Sequence, residues 1–234
     1  VGRTTTGAEP DVAPSSVTES LRGLATLAGP LPEFDVDRAP DAPGPLFGEW
    51  FVRAVREEVR EPHAMVLSTV DAHGRPDARV LTLREVDPDA GTWTFGTSIA
   101  SPKGRQLDAV PWAALTFYWP EQGRQIRVRG PVVRAKAARN AQDFLRRGPA
   151  GRVMSLVGRQ SEPMPDPTEW EEDRRRAELQ LERHPGVVAA DWALYTLTAD
   201  RVEFWQGDDR QRHRRLEYRR DRAGARWTRV PLRP

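Results

Sequence analysis

The sequence predicts a mainly β fold with added helices, closing into a small barrel. Between residues 64 and 97 apolar side chains recur at every second position, the period of a strand with one buried face. The breaks between these runs are short, Gly74-Arg75-Pro76 and Asp87-Pro88-Asp89-Ala90-Gly91, as antiparallel hairpins require. The regular strand–helix alternation of a parallel sheet is missing. Closure would remove the open edges that such a sheet otherwise exposes.

Each element follows from its pattern. Residues 1–43 are rich in Pro, Ala, Asp and Gly and read as a flexible or surface-wrapping arm; residues 44–234 read as one domain. Phe47, Trp50, Phe51, Ala54 and Val55 fall at helical spacing, predicting an amphipathic helix over 44–61 that Pro62 ends. Strands follow at 64–70, 77–86 and 92–97. Ser101 is a good N-cap and Pro102 suits the first helical position, so a helix over 101–110 is expected. WAALTFYW and RQIRVRGPVVRAK are two further strands. Residues 137–158 and 167–183 read as helices. WALYTLTADRVEFWQG and the last thirty residues return to strand, with Arg210, Arg212 and Arg214 expected on one face and Gln211, His213 and Arg215 on the other.

Composition limits the function. The chain has 234 residues, 38% hydrophobic and 30% charged, with a net charge of +2. That field is too weak to demand a polyanion. Trp205 precedes the basic run at 210–220 and no further aromatic interleaves with it until Tyr218, so a nucleic-acid surface, which interleaves aromatics with basic residues, is not expected. No apolar run approaches the ~18 residues of a membrane span, and no secretory signal is visible. The cytoplasm is the expected location. Cysteine is absent, which removes disulfides and thiolate chemistry. The four histidines lack metal-ligand spacing, so no metal is expected. Phosphate-loop and dinucleotide glycine motifs are also absent.

Two constellations can hold an anion. Ser101 and Lys103 mark a helix N-terminus, where unpaired N–H groups favour a phosphate; Arg79 can reach the same end in a compact barrel. The same residues also suit an ordinary capped helix with a solvated lysine. Gln125, Arg127 and Arg129 share one face of a strand, which also suits a plain wet face.

In this order, AMVLSTVDAHGRPDARVLTLRE, FGTSIASPKGRQ, GRQIRVRG, VGRQSE and VEFWQG with RHRRLEY resemble the pyridoxamine 5′-phosphate oxidase-like flavoproteins over roughly residues 45–234. The resemblance implies an FMN-binding split β-barrel, a homodimer with FMN at its interface, and O2 as oxidant. It implies Arg79 and Lys103 as phosphate ligands beside Ser101. Arg79, Val80, Leu81, Thr82, Leu83 and Arg84 would run along the flavin, with Gly96 and Thr97 close by. Gln125, Gln160, Ser161, Trp205 and Arg215 would complete the cofactor contacts, some across the interface. Pro102 departs from the arginine usual there.

The substrate side departs further. The vitamin oxidases hold a substrate phosphate with lysine, tyrosine, arginine and serine; these positions carry Arg84, Asp143, Arg147 and Gly151. Of the arginine and histidine placed over the pyridine, the first is Gln211 and His213 remains, a candidate for proton handling. Losing a charged hydrogen bond, or gaining a like charge, costs roughly 1.5–3 kcal/mol. MSLVGRQSEPMPDP and VREPHAM resemble the flavin oxidases of phenazine biosynthesis, implying oxidation of a reduced, tricyclic, dicarboxylated phenazine precursor (a small aromatic or near-aromatic substrate), whose carboxylates Arg84 and Arg147 would pair with. A pyridoxamine 5′-phosphate oxidase, or a non-catalytic flavin-binding barrel, are the alternative readings.

Overall fold

The computed structural model describes residues 17–22, 24–27, 29–164 and 166–234. Its helices are α1 (Val17–Arg22), α2 (Pro43–Arg56), α3 (Pro102–Ala109), α4 (Ala137–Arg146), α5 (Pro149–Val157) and α6 (Pro167–Arg183). Its strands are β1 (Ala64–Val70), β2 (Pro76–Asp87), β3 (Thr92–Ser98), β4 (Trp112–Trp119), β5 (Arg124–Arg134), β6 (Trp192–Thr198), β7 (Arg201–Gln206), β8 (Arg214–Arg219) and β9 (Thr228–Leu232). No helix among the described residues is long and apolar enough to cross a membrane.

Six antiparallel strands close on themselves. β1 pairs with β2, β2 with β3, β3 with β6, β6 with β5, β5 with β4, and β4 again with β1. β5 is long enough to serve three neighbours. Its first half pairs with β4 and β7, and Val132–Arg134 turn to β6. β8 and β9 extend the sheet outward from β7. The alternating apolar residues fill the interior: Leu67, Phe95, Leu115, Phe117, Ile126 and Val128 are fully buried. α2 adds its apolar face to this core. Phe47 meets Trp93 and Phe117 edge-on, and Trp50 meets Phe204. Such pairs add to plain area burial.

β2 turns a barrel corner. Ala64–Val70 of β1 pair with its first half, and β3 pairs with its second. At the corner Leu83 faces Phe95 and Glu85 faces Thr94, so Arg84 is the extra residue of a bulge. A bulge re-aims its side chain, and this one points Arg84 at the cavity described below.

Three local expectations are corrected. α2 stops at Arg56, before Pro62; Glu58 adopts a positive φ of 56° and Val59 N–H bonds back to Ala54 O at 3.0 Å, burying Val59. The helix expected over 137–158 is two helices. Pro149 cannot donate its amide and disfavours a helical residue before it, so Arg147 and Gly148 are extended. The expected strand alternation through 210–213 is absent. Asp208 Oδ1 accepts from Arg210 N–H at 2.8 Å and Arg212 N–H at 3.2 Å, and Gln211 takes φ 61°. An aspartate turn of this kind competes with the ladder, and β8 starts only at Arg214.

The segment before α2 contributes to the core. Phe34 packs edge-on against Trp50 and Ala39 is buried. Tyr218 Oη donates to Pro40 O at 2.7 Å.

Candidate active site

At one end of the site, Ser101 caps α3 by accepting from Gly104 N–H at 3.3 Å, and is fully buried. Lys103 is 5% exposed, and its Nζ donates to Ser101 Oγ at 3.3 Å and to Gln160 Oε1 at 2.9 Å. Among the described residues no carboxylate lies within 4.0 Å of it. Burial, and then the nearby Arg79 guanidinium, hold its pKa below the ordinary 10.5. Arg79 spans β1 and α3: it donates to Leu67 O, Thr69 Oγ1 and Gln106 Oε1, and pairs with Asp77 at 2.5 Å. The sequence-predicted Arg79, Ser101, Lys103 and Gln160 therefore meet in one chain. A cation left inside without a counter-ion is costly unless an anion joins it.

Next to this end lies a cavity of about 730 Å³, between the β2–β3 corner, the start of β6, α5, α6 and the loop joining the last two. Arg84, Gly96, Thr97, Arg147, Gln160 and Ser161 line it. Leu81 and Thr82 line it too, whereas Leu83 packs on the core and Val80 is 66% exposed. The loop is conformationally committed: Gly158, Arg159 and Ser161 all have positive φ, which L side chains adopt only when surroundings enforce it.

Trp192 forms part of the cavity wall. Its ring packs close against β3 because Gly96 has no side chain; a Cβ there would stand 2.3 Å from Trp192 Cζ2. The Arg147 guanidinium sits 3.8 Å from the Trp192 ring centroid, and Arg84 lies 6.0 Å from it. Trp192 Nε1 donates to Asp143 Oδ2 at 3.0 Å, and the same oxygen is 4.0 Å from Arg84 Nη2. Asp143 itself stands behind the cavity wall. Arg147 also donates to Ser155 Oγ. A Cβ at position 151 would come 3.1 Å from Arg147 Nη2, so Gly151 leaves room for the stacked guanidinium. Burial and the neighbouring Arg84 draw the Arg147 pKa down to about 10, with Asp143 opposing; the group stays charged at neutral pH.

Gln125, Trp205, Gln211, His213 and Arg215 are not brought to this cavity within one chain. Gln125 faces Trp205 across β5 and β7, and Trp205 faces Arg215 across β7 and β8. Glu203, 4% exposed, accepts Arg215 Nε at 2.9 Å and also binds Arg127. His213 stacks obliquely on Trp205 at 4.9 Å. Its Nδ1 accepts from Asp208 N–H at 3.1 Å, so the neutral ring carries its proton on Nε2, which faces Gln211 Oε1 at 3.2 Å. Trp205, Gln211 and His213 line a recess of about 520 Å³ with Ala25, Thr26 and Leu27.

Sequence reasoning missed Trp192, Ser155 and Glu203. Trp192 meets Asp143 49 residues away, a contact no local pattern signals. The start of β6 with an aromatic is equally common in a plain core strand.

The family profile described as Pyridoxamine 5′-phosphate oxidase matches residues 51–181, and that described as Pyridoxine 5′-phosphate oxidase C-terminal dimerisation region matches 192–234. The second match supports a homodimer. A pyridoxine/pyridoxamine 5′-phosphate oxidase of Janthinobacterium sp. is 39% identical over 87% of this chain and 93% of its own length. Its counterpart in Azotobacter vinelandii is 39% identical over 84% and 90%. Among solved structures, PhzG from Burkholderia lata 383, in complex with tetrahydrophenazine-1-carboxylic acid, superposes with a TM-score of 0.79 at 29% identity, covering 88% of this chain and all of that one. A pyridoxamine 5′-phosphate oxidase-related FMN-binding protein from Nostoc punctiforme shares the fold, with a TM-score of 0.68 at 20% identity over 84% of this chain and all of its own. With its closed six-strand barrel and both profiles matched in sequence order, the chain belongs to the pyridoxamine 5′-phosphate oxidase family and is an FMN-dependent oxidase.

Proposed function

We propose that this oxidase dehydrogenates a reduced, near-aromatic biosynthetic intermediate bearing a carboxylate, of the dihydro- or tetrahydrophenazine type, with O2 as electron acceptor. The observation that carries this reading is the pair Arg84 and Arg147 opening on one cavity, while positions 143 and 151 supply no hydroxyl to it. Planar guanidinium groups suit a carboxylate. Met154, Met164, Trp170 and Trp192 add apolar wall, as a flat ring system requires. The ligand named with the Burkholderia structure has this chemistry. A second reading, oxidation of pyridoxine or pyridoxamine 5′-phosphate, is favoured by the names of the 39% identical relatives.

FMN suits the residues present: Lys103 is a buried cation with no carboxylate within 4.0 Å among the described residues, beside Arg79 and the N-terminus of α3. When bound, the flavin supplies two-electron oxidation. Lys103, Arg79 and Ser101 would hold its phosphate, with Gln160 and Ser161 adjoining. Trp205, Arg215 and Gln125 would be supplied by the second protomer. Arg84 and Arg147 would orient the substrate carboxylate, and Trp192 shields one face of Arg147 from water. His213, with its proton on Nε2, would act as a hydrogen-bond donor to substrate rather than as a base at that atom. O2 consumption by the purified holoenzyme tests the reading. A reduced phenazine carboxylate should sustain it and pyridoxamine 5′-phosphate should not; the reverse pattern selects the second reading.

A further inference from the structure

Asp143 lies on α4 with its side chain 16% exposed, outside the cavity, yet its contacts form the cavity's cationic wall. One carboxylate oxygen serves two of them, accepting from the Trp192 indole at 3.0 Å and standing 4.0 Å from Arg84. The third contact is indirect, because Arg147 stacks on that indole, 3.8 Å from its ring centroid. An N–H donated to an anion pushes electron density into its ring, which strengthens the hold on a stacked cation. The absent side chain of Gly96 leaves room for the Trp192 ring close to β3, and the Asp143 hydrogen bond orients its indole N–H. Arg84 is equally placed by its bulge.

We propose that Asp143 is a positioning residue that sets specificity: it aims Arg84 directly and Arg147 through Trp192, and its own charge disfavours a phosphate dianion there. The three side chains together carry two positive charges and one negative. The rest of the lining carries Arg146 and Arg159 against Glu162, Glu169, Asp173 and Asp191, so the cavity has no surplus of positive charge to offer a dianion. A phosphate dianion would meet the same pair with Asp143 behind it, and the like charge weakens its binding. This inference rests on the carboxylate reading of the cavity.

The test compares wild-type holoenzyme with Asp143→Asn. Binding of phenazine-1-carboxylic acid and of pyridoxal 5′-phosphate is read from the change in flavin fluorescence. Asp143→Asn keeps an oxygen for the indole and removes the charge. The expected result is a shift in selectivity: pyridoxal 5′-phosphate gains at least roughly fivefold in affinity relative to phenazine-1-carboxylic acid, because losing one negative charge helps a dianion more than a monoanion. Two affinities that rise or fall by the same factor, as a merely structural role would give, or that both stay unchanged, overturn the proposal. Should Asp143→Asn fail to fold, Asp143→Ser is judged by the same selectivity criterion. If wild type ignores phenazine-1-carboxylic acid while the variant still gains affinity for pyridoxal 5′-phosphate, the role of Asp143 stands and the phenazine reading falls.

Discussion

Lys103 Nζ donates to Gln160 Oε1 at 2.9 Å, which ties the N-terminus of α3 to the loop after α5. The amide satisfies the ammonium group without neutralising it. Replacing Lys103 by Met should therefore weaken FMN binding by about 10- to 100-fold, the worth of one charged hydrogen bond. Titration of apo-protein with FMN, followed by flavin fluorescence, measures this.

The same lysine gives a pH signature. Its folded pKa lies below the ordinary 10.5 because of burial and Arg79. In the window between the depressed value and 10.5 the unfolded chain holds the proton more tightly, so apo-protein stability contributed by this group rises with pH. FMN affinity moves the other way, falling as the ammonium group loses its proton. Urea unfolding and FMN titration across alkaline pH should show both trends in wild type and neither in Lys103→Met.

Gly96→Ala should displace Trp192, since a Cβ there stands 2.3 Å from the ring. Overpacking of this kind costs about 1–3 kcal/mol. The loss should appear in chemical unfolding, together with a weakened substrate KM because Arg147 loses its platform.

Arg147→Lys keeps the charge and loses the planar stack on Trp192. KM for a carboxylate substrate should rise about tenfold with kcat little changed, the pattern of lost uniform binding. In wild type, KM should rise only as pH approaches about 10, where Arg147 loses its proton.

Glu203→Gln should destabilise the β7–β8 ribbon by about 2 kcal/mol, because a buried carboxylate that holds two guanidinium groups is removed. Arg215 and Arg127 are those partners. Thermal or urea unfolding of the apo-protein checks it.

Much of this fold was legible in the sequence because its determinants are local. β1 falls on the expected 64–70 and α6 on 167–183, since period and turn residues decide them. The misread places are those where a single side chain or ring overrides the pattern. Pro149 splits a long amphipathic run, and Asp208 captures the backbone amides that a strand would have used. The meeting of Ser101 and Lys103 was legible because a capped helix and its lysine are neighbours in sequence. The cluster of Arg84, Asp143 and Arg147 was visible only as a set of odd residues. Its logic depends on Trp192, joined to Asp143 and Arg147 by contacts that only the folded chain makes.

The proposed function gives this FMN oxidase a carboxylate-binding wall in place of a phosphate site. Anaerobic mixing of holoenzyme with a dihydrophenazine carboxylate, and separately with pyridoxamine 5′-phosphate, tests it most directly through the loss of the visible flavin band. The account predicts rapid bleaching by the first and little by the second. Faster bleaching by pyridoxamine 5′-phosphate would contradict it.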